Sequence, residues 1–346
     1  SRFLKDFKTK KQVVFDTTFT ETGDLKMKIL VTPTSMQPQE GKVNPALEKL
    51  REFADELVFN PTGKPLTGEM LIQQLQGCDG YLAGLDSISA DVLEHCPNLK
   101  AISRYGVGYD RVDLAAAEKQ GIVVTNTPGV NAEAVGELAF GMMMSLSRSL
   151  TMLDASTKRN GWIRCTGKEL YGKKIGIVGL GAIGKVVARC AGGFAMEVLA
   201  YDPYMNESYA AEHGIKSVSF EELIAQCDYI SMHLPLNDQT YHMINKETFS
   251  KMKDGVILIN ASRGGIVDEA AAKEAVESGK LGGLGLDAFE TEPPKDSPLF
   301  AYDNVLATPH TGAHTKEATE NMATLATENL IQVLRGEECR YTVTAH

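Results

Sequence analysis

Short runs of β-branched and apolar residues alternate along the chain with longer stretches whose apolar positions recur every three to four residues. From Met27 onward the short runs predict strands at 28–32, 56–59, 80–83, 100–103 and 122–125, with helices at 45–54, 68–75, 90–95 and 113–120 between them. A long apolar helix follows at 132–150. A second series then begins, with strands at 175–178, 198–202, 229–233, 256–261, 283–286 and 304–307, helices at 183–190, 220–227, 248–252 and 269–278, and a closing helix at 315–334. Strands joined through helices pair in parallel, so both series predict parallel sheets covered by helices. The fold class is α/β, with two doubly wound parallel-sheet domains. The expected boundaries are 27–127 together with 313–346 for one domain and 128–312 for the other, inserted into it. Residues 1–26 carry two more basic than acidic side chains and precede Met27, the expected natural start; they are set aside as a leader without an assigned role.

The second series opens on a specific motif. The predicted strand at 175–178 runs into Gly179-Leu-Gly181-Ala182-Ile183-Gly184 and then into a helical pattern, the context a dinucleotide-binding turn requires. In that context Gly179 makes the tight turn, Gly181 lets backbone approach a pyrophosphate, and Gly184 lets the helix pack on the strand. The helix start offers N–H groups to the phosphates. Asp202 ends the next strand, 18 residues after Gly184, where a carboxylate accepts hydrogen bonds from a ribose diol. A carboxylate there repels a 2′-phosphate, so the expected cofactor is NAD and not NADP.

Composition narrows the class. The 346 residues suit two domains, and no run approaches the roughly 20 apolar residues of a membrane span. With 35 basic against 45 acidic residues the net charge is −10, and no Lys/Arg-rich run is interleaved with aromatics. Neither a nucleic-acid nor a membrane partner is expected, and an anionic substrate must be drawn by local charge. The six cysteines lack metal-ligand or C-x-x-C spacing, and no signal-peptide pattern opens the chain, so reduced thiols in the cytoplasm are expected. The run Met142-Met-Met144 reads as core or subunit interface.

Ligands of open α/β sheets bind at the carboxyl ends of strands. After the glycine loop those ends carry Leu234-Pro235, Ala261-Ser-Arg263, Asp287 followed by Glu290 and Glu292, and His310. Each has an ordinary structural reading: Arg263 before two glycines suits a surface turn, His310 after Thr-Pro a loop bonded to backbone, and Glu292 before two prolines a solvated loop. Their joint appearance at successive strand ends suits oxidation of an alcohol beside a carboxylate. Arg263 would bind the carboxylate, His310 would take the hydroxyl proton, and Glu292 would orient the ring. His314, four residues after His310, could pair with it on a metal, but no third ligand is spaced nearby and no metal is expected.

Six stretches in order resemble the D-2-hydroxyacid dehydrogenase family, and within it the phosphoglycerate dehydrogenase branch. They are Arg104-Tyr-Gly-Val-Gly-Tyr-Asp110, the glycine loop, His233-Leu-Pro-Leu236, Asn260-Ala-Ser-Arg-Gly-Gly-Ile-Val-Asp268, Asp287-Ala-Phe-Glu-Thr-Glu-Pro293 and Thr308-Pro-His-Thr-Gly312. The resemblance spans about 27–336 and implies a Rossmann NAD domain inserted into a flavodoxin-like substrate domain, with the catalytic cleft between them. It implies Arg263, Glu292 and His310 as the catalytic set. For the cofactor it implies Gly179, Gly181, Ala182, Ile183, Gly184, Asp202, Leu234, Pro235, Ala261, Asp287 and Gly312. For the substrate it implies the segment Arg104, Tyr105, Gly106, Val107 and Gly108, with backbone N–H groups of Gly106 to Gly108 on the carboxylate. A homodimer formed through the NAD domain is implied too.

Two positions depart from the phosphoglycerate branch. The loop Ala83-Gly-Leu-Asp-Ser87 lacks the basic residue usual there, and Val107 stands where Thr is common. With 346 residues, the regulatory serine-binding domain of longer members is not expected. The expected reaction is hydride transfer between NAD and C2 of a D-2-hydroxyacid, with 3-phosphoglycerate leading and glyoxylate or hydroxypyruvate as the alternative. Because the loop lacks a cation, little preference for the phosphorylated substrate is expected unless Arg104 or Arg111 compensates. An NAD-sensing protein of the corepressor type is the rival from another class, disfavoured by the acidic charge and the absence of a basic localisation run.

Overall fold

The computed structural model describes residues 26–345; the expected leader lies, apart from Lys26, outside them. The chain divides into two compact units. Of the described residues, the first takes those up to Arg104, Arg111–Asn126 and those from Ala326; the second takes Tyr105–Asp110 and Thr127–Leu325. The C-terminal division therefore falls inside the last helix, and not at 312/313, because the two ends of that helix contact different units.

The first unit is a six-stranded sheet. Its strands are β1 (Lys28–Val31), β2 (Glu56–Phe59), β3 (Gly80–Ala83), β4 (Ala101–Arg104), β5 (Val123–Thr125) and β13 (Thr342–Val343), in the order β13-β5-β4-β3-β1-β2. The order of the first five is that of a flavodoxin-like sheet. All pairs are parallel except β13 on β5. That antiparallel edge was not legible, since two residues of ladder leave no periodicity. Helices α1 (Pro45–Phe53), α2 (Gly68–Leu75), α3 (Ala90–Glu94) and α4 (Leu114–Lys119) cover it. Side-chain caps mark three of their starts: Asn44 accepts from Ala46 and Leu47 N–H, Ser89 from Val92, and Asp113 from Ala116.

The second unit contains seven parallel strands: β6 (Lys174–Val178), β7 (Glu197–Tyr201), β8 (Lys216–Ser217), β9 (Tyr229–Met232), β10 (Val256–Asn260), β11 (Leu281–Leu286) and β12 (Val305–Ala307). Their order, β12-β11-β10-β9-β6-β7-β8, reverses direction between β6 and β9. That is the Rossmann arrangement, whose switch point is the ligand crevice. β10 is buried throughout and faces two cores. Leu258 joins Leu223, Ile230 and Leu286 on one face, while Ile257 and Ile259 join Met142, Met143 and Ile175 on the other. A sheet buried on both faces needs continuous apolar runs, which is why these strands were readable.

Flanking helices are α5 (Ala132–Arg148), α6 (Leu150–Lys158), α7 (Ala182–Gly193), α8 (Glu207–Glu212), α9 (Phe220–Gln226), α10 (Lys246–Lys251), α11 (Glu269–Glu277) and α12 (Lys316–Leu334), the last shared with the first unit. The helix expected over 132–150 ends at Arg148, because Ser149 adopts a left-handed conformation, and α6 resumes from it. The methionine run is divided: Met142 and Met143 are core, and Met144 is exposed. No helix of the described residues is long and apolar enough to cross a membrane.

Candidate active site

The glycine loop sits at the switch point. Gly179 has φ 103°, and a Cβ there would stand 2.8 Å from the carbonyl group of His233, so both the conformation and the close approach call for glycine. Gly181 is the N-cap of α7 and donates no side-chain cap; a Cβ at that position would meet nothing within 4 Å. Ala182, Ile183 and Gly184 form the first turn, whose N–H groups have no intrahelical partner. This uncapped helix start with open space over Gly181 fits the pyrophosphate of a dinucleotide. Asp202, just after β7, reaches back to the loop: its Oδ2 accepts from Leu180 N–H (2.8 Å) and its Oδ1 from Tyr204 N–H (2.8 Å). Leu234 is buried and Pro235 exposed just after β9, while Ala261 is half-buried just after β10.

The loops after three strands farther along the sheet, β10, β11 and β12, carry the expected set. Asn260, fully buried at the end of β10, donates through Nδ2 to Arg263 O (2.8 Å) and accepts at Oδ1 from the hydroxyl and N–H of Ser262. The turn presenting Arg263 is thus braced from inside. Arg263 donates from Nε to Asp110 Oδ1 (2.8 Å) and from Nη1 to Ser262 O (2.8 Å). His310 Nδ1 lies 2.9 Å from Glu292 Oε1, with the two side chains 28% and 14% exposed. The same carboxylate oxygen accepts from Phe289 N–H (3.2 Å), so Glu292 is held by its own loop.

Asp287, expected at the nicotinamide end, is engaged within the fold by the loop that follows β12. It is 2% exposed, and its Oδ1 accepts from the Thr308 hydroxyl (2.6 Å) and Thr311 N–H (2.8 Å) while Oδ2 accepts from Gly312 N–H (2.8 Å). These donors bracket His310, whose φ is 50°. Gly312, expected to meet the cofactor, has its N–H engaged with Asp287. Asp287 braces the histidine loop, a task no residue spacing reveals.

In the 104–110 segment the N–H of Gly106 donates to Thr127 Oγ1 (2.9 Å), so of the expected row of backbone donors this one is engaged within the fold. Tyr105 donates its hydroxyl to Thr319 O on α12 (2.8 Å), and Val107 is exposed. Arg104 is buried in the first unit and donates from Nη1 to Ala83 O (3.2 Å); Arg111 donates from Nη1 to Leu85 O (3.2 Å). Both guanidinium groups therefore stand at the loop that carries no cation of its own. Asp110, Asn260 and Thr127 were given no role from the sequence. The first two lie inside quoted motifs, the signal that marks them.

Residues 140–312 match the family model described as D-isomer specific 2-hydroxyacid dehydrogenase, NAD binding domain. The chain is 38% identical over 319 residues to the glyoxylate reductase of Korarchaeum cryptofilum, covering 90% of this chain and 94% of that protein. It is 41% identical over 276 residues to the D-3-phosphoglycerate dehydrogenase of Methanocaldococcus jannaschii, covering 79% of this chain and 53% of that protein. The chain thus spans about half the length of that phosphoglycerate dehydrogenase. Among solved structures it is similar to a D-lactate dehydrogenase from Aquifex aeolicus complexed with NAD and lactic acid, with a TM-score of 0.77, 31% identity and coverage of 89% of this chain and 96% of that one. A doubly wound sheet with a dinucleotide cradle at its switch point, a braced Arg and a His–Glu pair at neighbouring strand ends, and these likenesses place the chain in the D-isomer-specific 2-hydroxyacid dehydrogenase family, as an NAD-dependent oxidoreductase.

Proposed function

We propose that Arg263, Glu292 and His310 are the catalytic set and that 3-phosphoglycerate is the leading substrate. The observation that carries the catalytic reading is the 2.9 Å contact between His310 Nδ1 and Glu292 Oε1 on braced loops. With Nδ1–H donated to the carboxylate, Nε2 holds the lone pair and takes the proton of the substrate hydroxyl. The imidazolium so formed is paired with Glu292, and in the reverse direction it returns the proton to the keto oxygen. Arg263 binds the substrate carboxylate through its planar fork. NAD supplies the hydride acceptor when bound, and its reduced form the donor. Gly181, Ala182, Ile183 and Gly184 would hold the pyrophosphate, Asp202 the adenosine ribose, and Leu234, Pro235 and Ala261 would line the cofactor's path.

The substrate reading rests on Arg104 and Arg111, which bring guanidinium groups to the 83–87 loop where a phosphoryl group needs a cation. The full-length likeness to a glyoxylate reductase favours the second reading, reduction of glyoxylate or hydroxypyruvate. A panel of 3-phosphohydroxypyruvate, hydroxypyruvate and glyoxylate with NADH decides: the first reading expects kcat/KM higher by about tenfold or more for the phosphorylated acid, and equal use supports the second. His310→Ala is expected to lower kcat by about 10²- to 10⁴-fold, the range for a general acid–base group, with NADH affinity retained. An unchanged kcat would remove His310 from the set.

We further propose a homodimer formed through the second unit, which exposes Trp162 (81%), Ile163, Tyr171, Leu150 and Met144. The described cysteines are free thiols, in keeping with a reducing, cytoplasmic setting.

A further inference from the structure

We infer that Asp110 is a positioning residue that sets which edge of Arg263 meets the substrate. This rests on the reading of Arg263 as the carboxylate-binding cation. A guanidinium carries five N–H donors in a rigid plane, and a carboxylate can dock on the Nε/Nη2 side or on the end formed by Nη1 and Nη2. Asp110 Oδ1 takes the Nε hydrogen at 2.8 Å, and Ser262 O takes one from Nη1. The Nε side is thereby closed to a second carboxylate, by occupancy and by like charge. The donors left for the substrate are on Nη1 and Nη2, with one of the Nη2 hydrogens on the edge that Asp110 occupies.

Gly108 completes the arrangement. A Cβ there would fall 1.4 Å from Arg263 Nη2 and 2.7 Å from Cζ, so the guanidinium fills the space that any other side chain would take. The plane of the fork is confined between this glycine, Asp110 and the turn braced by Asn260. The Asp110 and Arg263 side chains remain 29% and 25% exposed, so the pair is screened, and its contribution lies in orientation more than in binding strength. Because Asp110 acts through the guanidinium of Arg263, its effect should follow carboxylate binding and not proton transfer.

The test is a cycle of D110N, R263A and the double variant, reading KM for the preferred 2-keto acid, kcat, inhibition by the non-reducible carboxylate oxamate, and NADH affinity. D110N is expected to raise KM and the oxamate inhibition constant by about tenfold, the scale of one charge-assisted hydrogen bond. kcat should fall far less, and NADH affinity should hold. In the R263A background D110N should add nothing. Gly108→Ala, whose backbone is not in the left-handed region, should reproduce the KM rise by displacing the guanidinium, which keeps the inference testable if D110N folds poorly. An unchanged KM in both variants with R263A strongly impaired overturns this inference alone, as do additive effects in the double variant. A lowered KM in D110N also overturns it, since Asp110 would then compete with substrate. If R263A itself leaves KM and oxamate binding unchanged, the reading of Arg263 falls and this inference with it.

Discussion

His310 holds a backbone conformation, φ 50°, that costs an L-residue on the order of 1 kcal/mol or more unless its surroundings impose it. Three hydrogen bonds from Thr308, Thr311 and Gly312 to the buried Asp287 impose it here. The ring is then aimed at Glu292 by the main chain. His233 is a contrasting histidine. Its Nε2 meets the Ser231 hydroxyl at 2.8 Å, its buried Nδ1 finds no partner among the described residues, and burial pushes its pKa down to about 4. The unfolded chain, with a histidine near 6.5, binds this proton and the folded one does not. Stability is therefore complete above about pH 6.5 and falls as pH drops toward 4, with a slope near 1.4 kcal/mol per unit from this group. Urea unfolding of His233→Asn between pH 7 and 4.5 should show a slope shallower by about one proton; parallel curves would mean that His233 is not held neutral.

At the scale of elements, α5 lies against β10 and β11 because β11 is rich in glycine. A Cβ on Gly285 would stand 2.7 Å from Ile259 Cδ1 and 3.4 Å from Met142 Cβ and Leu146 Cδ1. Gly285→Val is expected to wedge α5 from the sheet and destabilise the protein by about 1–3 kcal/mol, the usual range for overpacking, read as a lowered urea midpoint. An unshifted midpoint would show that the helix moves away at no cost. The same glycines explain why β11 was read as starting at Gly283 when it starts at Leu281: the signal for a strand is side chains, and Gly282, Gly283 and Gly285 have none. Helix α6 went unread for the opposite reason, since it buries no residue and has no apolar stripe to recognise.

For the molecule as a whole, the acidic charge implies that substrate anions are drawn by local cations, a role we propose for Arg263 in the second unit and for Arg104 and Arg111 in the first. The proposed dimer puts an exposed Trp162 on the second unit to use. Light scattering on Trp162→Asp should show a shift from dimer to monomer at micromolar concentration. Wild-type protein that is monomeric at that concentration would refute the assembly.

The doubly wound architecture, the dinucleotide turn and the position of Arg263, Glu292 and His310 after successive strands were legible in the chain alone. Each is written locally, in apolar runs buried on both faces, in glycines where backbone must approach a phosphate, and in residues that end strands. What holds those residues in place was decided by the tertiary structure. Asp287 lies 21 or more positions from its donors, and Asp110 lies 153 positions from Arg263. Hydrogen bonds between such distant residues leave no period or spacing in a sequence, because their geometry exists only after the sheet has set the strand ends side by side.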